Sequence, residues 1–386
     1  ELITEYRRFL RTSYRFLDEH LRRQFEDHLA RTDVIVRGPY VTLARDYQQG
    51  ETLAEIAGRG GLLPDLLKAK WPFGNEPLFW HQERALEAAR TGRSVVITTG
   101  TGSGKTEAFL LPVLDGILRR KKDGVQGVQA ILLYPMNALA NDQLERLRRL
   151  LRGSGLDLSY ALYTGDSDTT TLKLREDAAE GERMTRAEVR RKPPDLLLTN
   201  YKQLEFLLIR REDRHLFTGS LRHLVLDEIH SYRGALATEV ACLIRRLKAH
   251  AGLIPGELIG IGTSATVAAN NGGAASLARF ATTLFGENVA VEDIISEKFT
   301  PRRDVRPRWV PPPASLSDTD VSNLDPGNDE SVVALAERLT ARKCPGTGHI
   351  AERIGAVLEG NSLVCALEEI FTDRNRLGEN LLKGAD

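Results

Sequence analysis

Short apolar segments alternate with longer amphipathic segments between residues 78 and 285. Short apolar runs predict buried strands, and apolar residues repeated every three or four positions predict helices. The predicted strands are Ser94–Thr98, Gln129–Tyr134, Ser159–Tyr163, Asp195–Thr199, His223–Leu226 and Leu258–Gly262, and helices are predicted between them at 106–118, 137–152 and 236–250. Strands that alternate with helices predict an α/β fold with a doubly wound parallel sheet.

The pattern changes on both sides of this region. Residues 1–77 begin with apolar side chains at helical spacing and continue through a segment broken by Gly and Pro, which predicts a helical and irregular N-terminal extension. We assign 78–300 to the α/β lobe. The Pro- and Asp-rich segment 301–330 predicts a linker. Helical spacing returns in 331–386, which predicts part of a further, mostly helical domain.

Composition and charge narrow the classes of protein. Lys and Arg number 53, as do Asp and Glu, so the formal net charge is zero and gives no indication of a nucleic-acid partner. No apolar run approaches the roughly 20 residues that span a bilayer, so we predict no membrane partner. Cys242, Cys344 and Cys365 lie too far apart for a disulfide framework or a Cys-x-x-Cys metal site. We therefore predict a cytoplasmic location, and we expect that Glu1 is not the native start.

The strongest chemical motif is the glycine-rich run TGTGSGKT at 99–106, which follows an apolar strand and opens a helix. Glycines let successive backbone N–H groups face one point, and a helix N-terminus favours negative charge there. The pattern predicts a phosphate loop in which the lysine pairs with the β- and γ-phosphates of ATP and the threonine hydroxyl binds Mg²⁺. The first glycine of the strict pattern is replaced by Thr99. The predicted nucleotide-binding residues are Thr101, Gly102, Ser103, Gly104, Lys105 and Thr106.

An acidic pair ends another apolar strand. In parallel sheets, ligands bind beyond the carboxyl ends of the strands, which is where the phosphate loop also lies. We assign Asp227 to Mg²⁺, partly through water, and Glu228 to the attacking water, with Lys105 as the third catalytic residue. A hydroxyl run at 262–266 follows the next strand. It would serve either as a helix cap or as a link between the nucleotide and a second site.

The order of these motifs resembles the first RecA-like lobe of superfamily 2 helicases of the DEAD/DEAH type. TGTGSGKT, DEIH at 227–230 and SAT at 264–266 match motifs I, II and III, while the segments at 134–143 and 199–201 resemble motifs Ia and Ib. The sequences of these motifs resemble those of bacterial DNA helicases similar to MrfA and the DISARM anti-phage helicase DrmA more than those of DEAD-box RNA helicases. The resemblance implies a RecA-like P-loop NTPase fold with ATP and Mg²⁺ as cofactors.

The resemblance also implies roles for individual residues. Gln82 matches the glutamine that recognises adenine. His230, Ser264 and Thr266 would couple the nucleotide site to the strand. The residues expected to contact a nucleic-acid backbone are Pro135, Asn137, Thr164, Gly165, Thr199 and Asn200. Short polar side chains and backbone amides suit phosphate contacts that ignore sequence. Each of these residues could instead serve only a turn or a helix start. The other histidines, including His81, are assigned no role, and the arginine run 146–152 is expected to form a solvated face.

The sequence departs from the family where a second RecA-like lobe would follow. After the hydroxyl run we find no second set of strands and no arginine-finger segment, so we expect the chain to be part of a larger helicase. Arginine fingers contribute roughly 10³–10⁵-fold in phosphoryl transfer, so the chain alone should hydrolyse ATP poorly. The Cys cluster of MrfA-like helicases is also missing from this sequence, so no zinc is expected. The expected partners are DNA, a second lobe in the parent chain, and defence or repair proteins.

Three functions are consistent with this pattern. An ATP-dependent DNA helicase or translocase in anti-phage defence or DNA repair agrees best with the motif wording. An RNA helicase of the same fold is the first alternative, because loops that grip phosphates do not distinguish the two sugars. A nucleotide-gated scaffold subunit without hydrolysis is the second. The intact Lys105, Asp227 and Glu228 argue against the scaffold, because it has no need of groups for both metal and water.

Overall fold

The structure is a computed structural model that describes residues 2–31, 46–100, 102–165, 180–183, 185–264, 273–300, 307–312, 325 and 328–366. The chain forms two compact units, one of residues 46–300 and one that combines 1–45 with 301–386. The helices are α1 (Leu2–Ser13), α2 (Glu19–Ala30), α3 (Leu53–Gly58), α4 (Trp80–Arg90), α5 (Lys105–Lys122), α6 (Asn137–Leu151), α7 (Arg186–Arg191), α8 (Tyr201–Ile209), α9 (Ala235–Ala251), α10 (Gly273–Phe285), α11 (Asp329–Thr340) and α12 (Ile350–Leu358). The strands are β1 (Val95–Thr98), β2 (Ala130–Tyr134), β3 (Tyr160–Tyr163), β4 (Glu182–Arg183), β5 (Leu196–Asn200), β6 (His223–Leu226), β7 (Ile259–Ser264) and β8 (Ile294–Ser296).

Within the described residues of the larger unit, the eight strands form one parallel sheet with the order β4-β3-β5-β2-β6-β7-β1-β8. This confirms the predicted doubly wound α/β fold. The six predicted strands are present; β6 has the predicted bounds, and the ends of the others differ by at most two residues. The sequence did not predict β4 and β8, which are two and three residues long.

Apolar layers cover both faces of the sheet. Side chains alternate along a strand, so Leu132 and Tyr134 of β2 join the apolar cluster that includes α5 and α6. Ile131 and Leu133 join the opposite cluster, which includes α8, α9 and α10. Because both faces are buried, the central strands are mostly apolar and show no alternation of apolar and polar residues.

Residues 46–77 pack into the same unit as the sheet. Leu53, Ile56, Leu62 and Leu66 are buried in the cluster that also contains α4 and α5. The compact unit therefore begins before residue 78, where the sequence placed the start of the lobe. Antiparallel bridges at Tyr47 and Gln49 attach this segment to Phe299 and Phe79, respectively.

The other unit contains helices from both ends of the chain. Helices α1 and α2 contact each other through an ion pair between Arg11 and Glu26, with 2.8 Å between nitrogen and oxygen. Near the C-terminal helices, the Arg342 guanidinium lies 3.8 Å from the centre of the Trp309 ring. These helices agree with the helical spacing of the sequence. Most of the predicted linker at 301–330 lies outside the described residues, and among the described helices none has the length and apolar character needed to cross a membrane.

Candidate functional site

The glycine-rich turn between β1 and α5 exposes the N-terminus of α5. Gly102 and Gly104 have φ angles of 78° and 76°, a left-handed conformation that glycine adopts without strain. Gly104 is the N-cap residue of α5, so the unpaired N–H groups and positive dipole end of this helix lie at the turn. The Lys105 ammonium donates to the Thr99 carbonyl at 3.2 Å. Backbone donors, helix dipole and ammonium together make this turn suited to anions.

Neighbouring groups hold the turn in this shape. The hydroxyls of Thr99 and Ser103 are 2.6 Å apart and buried, so the residue that replaces glycine ties the two ends of the turn together. From α4, His81 Nε2 donates to the Ser103 carbonyl at 2.9 Å, and Gln82 Nε2 donates to the Gly104 carbonyl at 3.1 Å. Burial lowers the pKa of His81 to about 4, so this ring is neutral at physiological pH.

The backbone turns sharply at the acidic pair that follows β6. Glu228 has a φ of 51°, an uncommon backbone conformation for a residue with a side chain. This turn ends the alternation of the strand, and it brings Glu228 Oε1 to 3.8 Å from Lys105 Nζ. The Asp227 carboxylate accepts a close hydrogen bond from the Thr263 hydroxyl on β7, and the Glu228 N–H donates to that same hydroxyl at 2.9 Å. Thr263 thus fixes both acidic residues.

The acidic pair has a perturbed electrostatic environment. Burial raises the pKa of Asp227 above its ordinary value, and the neighbouring Glu228 adds to this, while Thr263 and Lys105 oppose it. Asp227 and the Thr106 hydroxyl are hard oxygen donors of the kind that Mg²⁺ prefers, so these residues fit the expected metal. His230 Nδ1 lies 3.1 Å from Glu228 Oε2.

The predicted coupling residues lie beside this pair as far as the structure describes them. His230 Nδ1 is also 3.4 Å from the Ser264 hydroxyl at the end of β7. Thr266 lies outside the described residues, as does Thr101 of the phosphate loop. The described part of the set therefore joins β6 to β7 at the edge where the phosphate loop leaves β1.

The residues expected to contact nucleic acid lie at the same edge of the sheet, at the ends of β2, β3 and β5. We call this set the strand rim; it consists of Pro135, Asn137, Thr164, Gly165, Thr199 and Asn200. Asn200 Nδ2 donates to Asn137 Oδ1 at 2.6 Å, which joins two of the three loops. The Thr199 hydroxyl is buried and donates to the Tyr163 carbonyl at 2.7 Å, so it supports the rim from inside.

Comparison with known proteins identifies the family. Residues 80–272, half of the chain, match the DEAD/DEAH box helicase family. The chain belongs to the DEAD/DEAH box helicases. The match contains the phosphate loop, the acidic pair and the strand rim, and the sequence had predicted this family from the order of the same motifs.

The chain matches only part of the length of its curated relatives. The chain is 30% identical to the Druantia protein DruE of Escherichia coli, over 62% of this chain and 19% of the relative. It is 32% identical to the uncharacterised ATP-dependent helicase YprA of Bacillus subtilis, over 50% of this chain and 24% of the relative. A crystal structure of the DUF1998 helicase MrfA bound to DNA superimposes with a TM-score of 0.50 and 27% identity, over 65% of this chain and 29% of that one. The chain thus spans about a fifth to a quarter of these curated relatives.

Gln82 occupies a different environment from the one expected for a residue that recognises adenine. Its Oε1 accepts from the Phe79 N–H at 2.9 Å, and its Nε2 donates to Gly104. Both ends of its amide thus bind backbone groups at and near the phosphate loop. A cavity of about 480 Å³ lies beside it, lined by Phe73, Phe79, Lys105 and others. Adenine recognition by Gln82 stays a prediction.

The arginine run 146–152 forms the predicted solvated face only in part, because Arg149 and Arg152 are exposed and the other two arginines are not. Arg148 is 4% exposed and pairs with Glu182 of the short strand β4 at 2.6 Å. Arg146 donates to the Thr106 hydroxyl at 3.1 Å. The run alone gave no signal for these contacts, because a helical face predicts which residues share a side and not what they meet.

Two further functional candidates were missed. Arg186 donates to the carbonyls of Thr164 and Gly165 at 3.0 and 2.9 Å, so a cation supports the strand rim. Thr263 precedes the SAT motif, and its place in a hydroxyl run was its only signal.

We predict that Thr263→Val weakens Mg²⁺ binding in the presence of nucleotide roughly 10–100-fold, the usual effect of removing a group that orients a metal ligand. The buried Asp227 would lose the hydroxyl that stabilises its charged form. The concentration of Mg²⁺ that half-saturates binding of a fluorescent ATP analogue measures this. Thr238→Val, at an exposed hydroxyl on α9, is the control. An unchanged Mg²⁺ requirement in Thr263→Val would rule out this role.

Proposed function

We propose that the chain is the nucleotide-binding lobe of an ATP-dependent DNA helicase or translocase, in which Mg²⁺-dependent ATP hydrolysis drives movement along a strand. One observation carries the proposal: the Lys105 ammonium and the Glu228 carboxylate, from a phosphate loop and an acidic pair, stand 3.8 Å apart at one edge of the sheet. An anion cradle beside ligands for a divalent cation supports binding of a nucleoside triphosphate.

Each residue at this edge has a definite task. The amides of the turn and Lys105 hold the phosphates and balance the charge that develops on them. Asp227 and Thr106 would hold Mg²⁺, which when bound neutralises phosphate charge. Glu228 orients the attacking water and accepts its proton, and it is positioned by Thr263. His230 and Ser264 lie between the acidic pair and the end of β7. They would couple the state of the bound nucleotide to the nucleic-acid strand.

The cavity beside the phosphate loop suits the rest of the nucleotide. Its volume of about 480 Å³ falls in the range of small-molecule sites, and the rings of Phe73 and Phe79 and the side chain of Pro77 line it. Aromatic faces stack on nucleobases. We infer that the base and ribose enter this cavity while the phosphates extend onto the turn.

The strand rim supports binding to a nucleic-acid backbone. It lies on β2, β3 and β5, next to β6 in the sheet, so nucleotide and strand would occupy neighbouring halves of one edge. DNA is favoured because MrfA, which is similar over 65% of this chain, was crystallised bound to DNA. The RNA helicase is the alternative, because the described residues of the rim do not distinguish a ribose with a 2′-hydroxyl from a deoxyribose. A non-hydrolysing scaffold is less favoured, because Lys105 and both acids are present.

A competition experiment tests the choice of strand. We expect labelled single-stranded DNA to bind the chain without sequence preference, and more weakly as salt rises, because phosphate contacts release counterions. Unlabelled DNA should displace the label at a lower concentration than RNA of the same sequence, as measured by fluorescence anisotropy. Equal or better displacement by RNA would favour the RNA helicase.

The biological setting rests on similarity alone. The resemblance of the motifs to those of an anti-phage helicase of the DISARM system leads us to propose genome defence, with DNA repair as the alternative. Phage plating efficiency and survival of DNA damage, in cells with and without the parent gene, distinguish these two settings.

A further inference from the structure

The guanidinium of Arg146 joins two helices at the phosphate loop. From the third turn of α6, one N–H donates to the Thr106 hydroxyl at 3.1 Å, and another makes a close ion pair with Glu107. Glu107 is 3% exposed, so Arg146 balances the charge of a buried carboxylate. Arg146 also lines the cavity beside the loop. One side chain therefore connects the start of α5 with the middle of α6.

The Thr106 hydroxyl is also the atom that would bind Mg²⁺. Mg²⁺ binds oxygen at about 2.0–2.1 Å, so with a hydrogen bond of 3.1 Å the metal would lie within about 5 Å of the Arg146 nitrogen. Two cations at that separation repel each other. The hydrogen bond also uses one of the two lone pairs with which the hydroxyl oxygen would bind the metal. Arg146 and Mg²⁺ consequently compete for Thr106.

The other end of α6 lies in the strand rim. The helix begins at Asn137, whose Oδ1 accepts from Asn200 at 2.6 Å. Residues 137 and 146 are about 13–14 Å apart along the helix axis at 1.5 Å per residue. A change of partner at Arg146 thus acts on a rigid element that starts where the strand would bind.

We propose that Arg146 is a positioning residue that holds Thr106 while the metal is absent and releases it, keeping only Glu107, when Mg²⁺ and nucleotide bind. This exchange would report the presence of the metal to α6 and the strand rim. The inference rests on the nucleotide site proposed above. It gives Arg146 a role in the response to metal and not in phosphate binding.

The test uses Arg146→Lys in this chain. Lysine keeps a positive charge for Glu107, but a single ammonium lacks the planar fork that serves both partners. Binding of a fluorescent ATP analogue is measured in EDTA and over a Mg²⁺ titration. We expect the half-saturating Mg²⁺ concentration to fall roughly three- to tenfold, the size of one hydrogen bond, with affinity in EDTA unchanged. Arg149→Lys, at an exposed arginine of the same helix, should change neither value.

The second readout is the linkage between nucleotide and strand. The ratio of single-stranded DNA affinities with and without magnesium nucleotide should move towards one in Arg146→Lys and stay at the original value in Arg149→Lys. Arg146→Met, which has no donor, should lower the Mg²⁺ requirement in the same direction, with folding checked by its melting temperature.

Each opposite result overturns the inference. An unchanged Mg²⁺ midpoint in Arg146→Lys removes the competition for Thr106. Loss of affinity in EDTA would make Arg146 a phosphate ligand instead. An unchanged DNA linkage removes the connection to α6. An original chain that binds no magnesium nucleotide would refute the nucleotide site itself, and this inference with it.

Discussion

Lys105→Ala is expected to lower ATP turnover by the intact helicase roughly 10²–10³-fold, the usual effect of removing one preorganised donor to developing negative charge. The ammonium lies 3.2 Å from the Thr99 carbonyl and 3.8 Å from Glu228, and its side chain is 12% exposed. Its removal takes away a cation 3.8 Å from the Glu228 carboxylate, so less of the negative charge near the phosphates would be balanced. Both nucleotide affinity and turnover should therefore fall.

Binding of single-stranded DNA tests whether the loss is confined to the nucleotide site. The strand rim lies at the ends of β2, β3 and β5, whereas Lys105 opens α5 after β1, so affinity for single-stranded DNA without nucleotide should change less than twofold. Lys122→Ala is the matched control, because this lysine ends the same helix and makes an exposed ion pair with Asp65. Full turnover in Lys105→Ala, or an equal loss in Lys122→Ala, would remove Lys105 from the site.

The central sheet was predictable because burial on both faces leaves a simple pattern. Strand β2 is an uninterrupted apolar run, β6 is apolar after His223, and polar groups follow at the carboxyl ends of both. The carboxyl ends of parallel strands meet at one edge, so the sequence also predicts that the phosphate loop and the acidic pair lie together. The edge strand β4 could not be predicted, because two residues carry no periodicity and its pairing depends on β3.

Contacts between side chains that are distant in the sequence are harder to predict. Thr263 contacts Asp227 because β6 and β7 are neighbours in the sheet. The periodicity of apolar residues does not predict the order of the strands. Arg148 was expected in solvent, yet its partner Glu182 lies 34 residues further along the chain. The turn at Glu228 could not be predicted either, because the side chains of adjacent residues on a strand point to opposite faces of the sheet. These contacts all depend on elements that fold together, so the sequence gives the residues of the site but not their support.

The role of Gln82 shows how a motif spacing can leave two possibilities open. The position of Gln82 before the phosphate loop suggested contact with a base, and the structure places its amide on the Gly104 carbonyl. A Cβ at Gly104 would lie 2.3 Å from Gln82 Nε2, so this glycine is required both by its φ angle and by the approach of the glutamine. The glutamine therefore supports the loop in this structure whether or not it also meets adenine.

Glu228→Gln should separate chemistry from binding. The change keeps the shape of the side chain and removes the charge that orients water and accepts its proton, so we expect kcat of the intact helicase to fall roughly 10²–10⁴-fold. Nucleotide affinity should stay the same or rise, because a negative charge 3.8 Å from Lys105 is lost and the phosphates no longer compete with it for the ammonium. Lys105→Ala differs, because its nucleotide affinity is expected to fall together with its turnover.

The control for this prediction is Glu239→Gln, an exposed glutamate on α9 away from the acidic pair. Steady-state ATPase rates with single-stranded DNA give kcat, and equilibrium binding of a fluorescent ATP analogue gives affinity. Hydrolysis within twofold of the original protein would exclude Glu228 as the group that activates water. A parallel loss of binding and hydrolysis would instead assign it to the shape of the turn, since its φ of 51° makes this residue a strained end to β6. Only a fall in kcat with binding retained agrees with a carboxylate that acts on water beside a bound triphosphate.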